Sequence, residues 1–247
     1  MIPKTIHYCW FGGNPLPKSA RKCISSWKKH LSDYEIKEWN ENNFDVNIIA
    51  YTAEAYNFKK YAFVSDYARF WILHQYGGIY FDVDVELIKP LSPILDKGSF
   101  LGIESLNNVA PGLGFGCNPG LGFGCNPGLG FLKNMINLYS LLHFDEGGGI
   151  MNKKTIVEYT TDELIKHGLI CSGDIQYIEG FWIYPPEYFC PINYQSGKLK
   201  ITKNTYSIHH YDASWHSPKD TIVAFFERHH LSVLNKILSN IKSILKY

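Results

Sequence analysis

Excess charge of either sign is absent from this chain: 24 Lys+Arg stand against 23 Asp+Glu, a formal net charge of +1 over 247 residues. No basic field therefore argues for nucleic acid as a partner. No run of about 18 apolar residues occurs, which excludes a membrane-spanning helix. The six cysteines, at 9, 23, 117, 125, 171 and 190, include no Cys-x-x-Cys pair. That excludes the usual zinc frameworks, and the density is too low for a secreted disulfide scaffold, so free thiols are expected. The stretch MIPKTIHYCWFGG lacks the apolar segment of a signal peptide, and a cytoplasmic location is expected. Gly-x-Gly-x-x-Gly and Gly-Lys-Ser/Thr are missing as well, leaving no phosphate loop of those types.

Apolar residues make up 45% and charged residues 19%, and the length suits one α/β domain with a full core. Aromatics are abundant at 15%, with 17 Tyr and 6 Trp. Such rings fill cores, and they also line sites that stack nucleobases or sugars.

Ile6–Phe11 reads as a buried strand stopped by Gly12-Gly13, Ser19–His30 as a helix, and Tyr34–Trp39 as a second strand. A helical region to about Ala55 and a helix over Phe58–Tyr76 follow, the latter ended by Gly77-Gly78. Ile79–Leu87 alternates apolar with polar or phenolic residues, the period of a strand with one face in the core. This strand–helix rhythm predicts a parallel α/β sheet. A strand near Ser99–Glu104 comes next, then GLGFGCNP at 112–119, repeated at 120–127, with GLGF again at 128–131. A period of eight in two copies is too short for a solenoid. An in-frame duplication in a surface loop is the expectation, since loops tolerate added length at small entropic cost. Helices are expected over Met135–Leu142 and Thr155–His167, a packed aromatic segment over Phe181–Pro191, and a short strand from Thr205 running into a loop. Ile222–Lys246 reads as an amphipathic helix packed on the domain, with lysines on a flank that also suits a membrane surface.

Two features carry chemistry. Asp82 and Asp84 would share one strand face, about 7 Å apart by strand rise, with Glu86 extending the row. Carboxylates so placed repel one another, and a hard divalent cation with a diphosphate on its far side would answer that charge. On the preceding helix Asp66 and Arg69 are i and i+3, so they share a face amid large apolar groups. A surface ion pair there would be worth only a few tenths of a kcal/mol. A carboxylate beside a guanidinium also suits recognition of sugar hydroxyls.

Phe63-Val64-Ser65-Asp66-Tyr67-Ala68-Arg69 followed by Tyr76-Gly77-Gly78-Ile79-Tyr80-Phe81-Asp82-Val83-Asp84 closely resembles the DXD sugar-binding region of glycosyltransferase family 32. That family includes bacterial capsular polysaccharide transferases and yeast mannosyltransferases, and is distantly similar to the catalytic domains of clostridial glucosylating toxins. Ile2–Gly13 is similar to its first strand, and His209-His210-Tyr211-Asp212-Ala213-Ser214-Trp215 to its closing His-His…Ser-Trp motif.

The resemblance implies an α/β fold of GT-A type, with a Rossmann-like, mostly parallel central sheet flanked by helices. Residues 1–220 would form the catalytic domain, with the repeat at 112–131 as an insertion toward the acceptor side, and 221–247 the packed helix. The activity implied is retaining, metal-dependent transfer of a sugar from a UDP- or GDP-sugar to a hydroxyl of a glycan or lipid-linked saccharide, in capsular or surface polysaccharide synthesis of a bacterial type. Trp10 would border the nucleobase, Ser65 the ribose, and Gly78 and Tyr80 the nucleotide. Asp66 and Arg69 would hold hydroxyls of the transferred sugar. Asp82 and Asp84 would act through Mn²⁺ or Mg²⁺ and the ribose, with His210, or its neighbour His209, as a late metal ligand. Ser214 and Trp215 would touch the leaving diphosphate, and Asn107 or Asn108 would lie near the anomeric carbon. Contact with the inner membrane face would run through 224–247.

Two other readings follow from the same residues. Ile79–Val85 imitates the DxD strand of haloacid-dehalogenase phosphatases, with Asp82 as nucleophile, although Glu86 stands where that family has Thr or Val. A non-catalytic nucleotide-sugar-binding relative, disabled by the repeat, is the third.

Overall fold

The computed structural model describes residues 2–105, 108–117, 129–148, 150–170, 172–193 and 197–211. Asn107, Ser214, Trp215 and the expected helix over 221–247 lie outside them.

The chain begins with β1 (Thr5–Cys9), α1 (Lys18–His30), β2 (Glu35–Trp39), α2 (Ala50–Asn57), α3 (Tyr61–Tyr76) and β3 (Gly78–Tyr80). The next elements are β4 (Val85–Leu87), the short α4 (Ser92–Leu95), β5 (Phe100–Ser105), β6 (Asn108–Val109) and β7 (Phe115–Cys117). The last are α5 (Leu129–Ser140), α6 (Ile156–Lys166), β8 (Gln176–Ile178), β9 (Phe181–Tyr184), the short α7 (Pro186–Phe189) and β10 (Ser207–His209). The main sheet has the order β2-β1-β3-β7-β5-β9-β8, with β6 beside β5. Pairing is parallel for β1 with β2, β1 with β3 and β5 with β9, while β7 runs antiparallel to both of its neighbours. Among the described residues no helix is long and apolar enough to cross a membrane.

Strand alternation feeds two cores, one on each face. Tyr80, Leu101, Ile103 and Ile183 point to the α2, α3, α5 and α6 side, whereas Ile6, Tyr8, Ile79, Phe81 and Phe100 point to the α1 side. α1 joins through Ala20, Cys23, Ile24 and Trp27, spaced three and four apart as one helical stripe requires. α3 is buried over Val64–Phe70, so its charged residues are interior ones. Gly77 ends it at φ 63°, a left-handed conformation in which a residue with a Cβ is strained. His7 secures this corner. Trp39 Nε1–H donates to its Nδ1 (3.1 Å), so its Nε2–H donates to Gly77 O (3.0 Å). A Cβ on Gly78, at φ 94°, would lie 2.6 Å from Thr5 O, so only glycine lets β3 close on β1.

Two expectations are corrected. The alternating run Ile79–Leu87 is two strands in two sheets: β3 stays in the main sheet, and β4 pairs antiparallel with β10. Val85 N–H donates to Asp82 O (3.1 Å), forming a turn, and Trp27 Nε1–H donates to Val85 O (2.7 Å) beyond it. Period two persists across the break because both pieces are strands, but Asp82 and Asp84 are turn residues rather than neighbours on one strand face.

The first repeat copy is not loop insertion. Leu113 is fully buried, Phe115–Cys117 is β7 at the middle of the sheet, and Phe131 of the partial third copy is buried in α5. Residues 118–128 lie outside the described set.

Candidate active site

A large open cleft runs along the ends of β1, β3 and β5, where α/β sheets bind ligands. One wall is α3 and the turn after β3. Arg69 reaches along its own helix, donating Nε–H to Ser65 O (3.0 Å) and Nη2–H to Ser65 Oγ (3.3 Å) and Asp66 Oδ1 (3.2 Å). Its Nη1–H crosses to Asp82 Oδ2 (3.2 Å), and the guanidinium carbon lies 4.8 Å from the centre of the Tyr80 ring. The Tyr80 hydroxyl donates to Asp82 Oδ1 (3.2 Å). The Arg69 side chain is 5% exposed and that of Asp66 is 10%, so this is a buried network and not a surface pair.

Two carboxylates share one guanidinium here. Burial disfavours the charged form of Asp66 and outweighs Arg69; with nearby Asp82 adding repulsion, the Asp66 pKa is pushed up to about 7. The backbone N–H of Ile156, at the start of α6, opposes that rise by donating to Asp66. Burial also works against the charge on Arg69, but Asp82, Tyr80 and Asp66 hold it firmly protonated. Cys9 lines the same wall, and burial lifts its thiol to about 12, which makes it no nucleophile.

The opposite end of the turn meets β10. His209 Nε2 lies 3.3 Å from Asp84 Oδ2. Burial tends to lower the His209 pKa, yet Asp84 outweighs it and raises the pKa well above the ordinary value. Adjacent strand residues face opposite sides, and His210 accordingly meets Glu86 Oε2 (2.8 Å) next to Lys22, away from the aspartates. The imidazole beside Asp84 is therefore His209 rather than His210, and Glu86 does not extend the aspartate row.

Trp10, Ser65, Asp66, Arg69, Asp82 and Asp84 all line the cleft, and so does Asn108. Trp10 donates its indole N–H to Asn14 O (2.6 Å) in the loop after β1. Gly78 and Tyr80 stand behind the wall, Gly78 packed on β1 and Tyr80 under Arg69. Gly112, which spacing in the sequence does not mark, is also part of this wall: a Cβ there would collide with Asp82 Oδ2, and its carbonyl accepts the Asp82 N–H (2.9 Å). Glu104, Cys190 and Tyr211 also line the cleft. Their roles arise from contacts between distant segments, for which spacing in the sequence holds no signal.

Among the described residues no group of three or more His, Cys, Asp or Glu side chains could by itself hold a metal ion. The donor chemistry still fits a hard cation. Each carboxylate offers about four lone-pair sites, so Asp82 keeps acceptor capacity beyond its Arg69 and Tyr80 partners, and Asp84 stands two residues on in the same cleft lining. Mg²⁺-like ions commonly take one or two carboxylates and complete their shell with water and substrate phosphates.

Residues 17–101 match the family model described as glycosyltransferase sugar-binding region containing DXD motif. The chain is 28% identical over 111 residues to inositol phosphoceramide mannosyltransferase 1 of Schizosaccharomyces pombe, covering 40% of this chain and 33% of that one. It is 34% identical over 119 residues to an uncharacterized glycosyltransferase of Acanthamoeba polyphaga mimivirus, covering 44% and 46%. The matched part thus spans less than half the length of either relative. Among solved structures, the PaToxG glycosyltransferase superposes with a TM-score of 0.46 at 18% identity, over 67% of this chain and 69% of that one, too loosely to add to the family match. Residues 17–101, which hold Ser65, Asp66, Arg69, Asp82 and Asp84, are thus similar to the sugar-binding region of glycosyltransferases that contain a DXD motif.

Proposed function

We propose that the protein transfers a sugar from a nucleoside diphosphate sugar to a hydroxyl of a glycan or lipid-linked saccharide, with retention at the anomeric carbon, in surface polysaccharide synthesis. The observation that carries this reading is Arg69, buried in the cleft wall between Asp66 and Asp82. A fixed guanidinium and a carboxylate near its titration point offer donors and acceptors to sugar hydroxyls, held in place before the substrate arrives. Asp82 uses one oxygen on Tyr80 and the other on Arg69, which suits an orienting carboxylate better than a phosphatase nucleophile. Asp82 and Asp84 are the residues that would hold Mn²⁺ or Mg²⁺, which when bound would neutralise charge on the departing diphosphate. Trp10 borders the nucleobase on this reading, and Asn108 faces the reacting sugar from the β5–β6 side.

The test is release of nucleoside diphosphate from a panel of UDP- and GDP-sugars, mannose donors included, with Mn²⁺ and then with EDTA. Turnover of one donor that EDTA abolishes and Asp84→Ala removes is the expected result. Absence of turnover with every donor, with or without saccharide acceptors, would overturn the reading.

A further inference from the structure

Tyr211 sits where β10 leaves the sheet, and its backbone is strained. Its φ of 54° is left-handed, a conformation that residues with a Cβ adopt only when their surroundings impose it. Three groups surround its side chain. The hydroxyl lies 2.9 Å from Cys190 Sγ, just past the end of α7. The Glu104 carboxylate of β5 lies near enough to raise the pKa of the same hydroxyl. The ring lies against the His209 imidazole, with centroids 4.3 Å apart and planes tilted by 47°.

His209 otherwise has little to fix its ring. Its Nε2 faces Asp84, while Nδ1 is buried beside Cys190 with no conventional hydrogen-bond partner among the described residues. Buried polar atoms seldom go unpartnered, and an imidazole secured at one nitrogen needs packing to hold its plane. Tyr211 and Cys190 supply that packing. Glu104, Tyr211, Cys190, His209 and Asp84 all line the cleft, so the contacts form a continuous path from β5 to the second aspartate of the DXD turn.

We propose that Tyr211 is a positioning residue: clamped by Glu104 and Cys190, it sets the plane of His209, which in turn aims the Asp84 carboxylate into the cleft. The inference rests on the transferase reading for its consequence, namely that loss of the clamp lowers kcat and leaves KM for the donor nearly unchanged. Its structural part is independent of that reading and has its own readout.

The experiment uses the full chain labelled with ¹⁵N-histidine. The Nε2–H resonance of His209, assigned by its loss in His209→Gln, is followed for exchange with solvent. Tyr211→Phe keeps the ring and removes only the hydroxyl; Glu104→Gln weakens the clamp from the other side and decides the matter if Tyr211→Phe fails to fold. Exchange about fivefold faster in either folded variant, together with a kcat roughly tenfold lower at constant KM, is expected. Unchanged exchange in the folded variants would overturn the proposal. Faster exchange in the variants of a protein whose wild type turns over no donor would sink the transferase reading and leave Tyr211 as the residue that positions His209.

Discussion

The two charged networks around the DXD turn are built on different physics. At Asp82 the partners are a nearly fully buried guanidinium, a buried phenol and a backbone carbonyl, all packed behind the cleft wall. Beyond Asp84, on β4 and β10, the His210–Glu86–Lys22 chain is partly solvated, with the His210 side chain 33% exposed. Taking one member from a buried ion network strands a charge away from water, whereas a solvated pair loses little. The Asp82 network should therefore behave as part of the fold, and the His210–Glu86–Lys22 chain as an adjustable element on top of it.

The largest effect is expected at Arg69. Arg69→Ala leaves Asp66 and Asp82 uncompensated and should cost about 3–5 kcal/mol, read as a lower denaturant midpoint. Arg69→Lys should recover only part of this, because one ammonium cannot span both carboxylates. A midpoint for Arg69→Ala near that of wild type would erase the contrast between the two networks.

His7 comes next. Burial holds its imidazole neutral, with its pKa lowered to about 4 from the usual 6.5. Because the folded pKa is the lower one, the stabilisation is complete above pH 6.5 and is lost as pH falls toward 4, in total of order 3 kcal/mol. Asp66 acts oppositely: its folded pKa is raised to about 7, so its contribution becomes unfavourable as pH rises from about 4 to 7. The stability difference between wild type and His7→Gln, followed across that range by chemical denaturation, isolates the His7 share. A difference independent of pH would show that His7 is not buried neutral.

Gly112 sharpens the comparison from the repeat. Gly112→Ala drives a Cβ into Asp82 and should cost roughly 1–3 kcal/mol and weaken donor binding. Deleting residues 120–127 leaves GLGFGCNP followed by GLGF and should change stability by less than about 1 kcal/mol. Loss of folding on that deletion would mean that the second copy is more than spacer.

The smallest effect is expected at His210. Its alanine variant should lose less than about 1 kcal/mol and bind donor as wild type does, whereas His209→Ala should weaken metal-dependent binding. The reverse order would favour His210 as the late metal ligand.

What could be read in the sequence followed the range of the interactions. Asp66 and Arg69 lie one helical turn apart on one element, so their shared face was evident, and their burial followed from the apolar residues around them. The α/β rhythm and the Gly77-Gly78 stop were equally local. The break at Asp82–Val85 was hidden because two consecutive strands have the same period as one. The choice between His209 and His210 depends on the register of β10 against β4, set some 120 residues away in the chain. Gly112 is indistinguishable in sequence from the other glycines of its repeat, and only the fold sets it against Asp82.

The central claim is that Asp66, Arg69, Asp82 and Asp84 form one nucleotide-sugar site. Calorimetric titration of the full chain with UDP- and GDP-sugars, with Mn²⁺ and with EDTA, in wild type and Asp84→Ala, tests it most directly. The expected result is binding of one donor that requires the metal and is lost in the variant. Donor binding of equal strength in Asp84→Ala and in EDTA, or none in wild type, would contradict it.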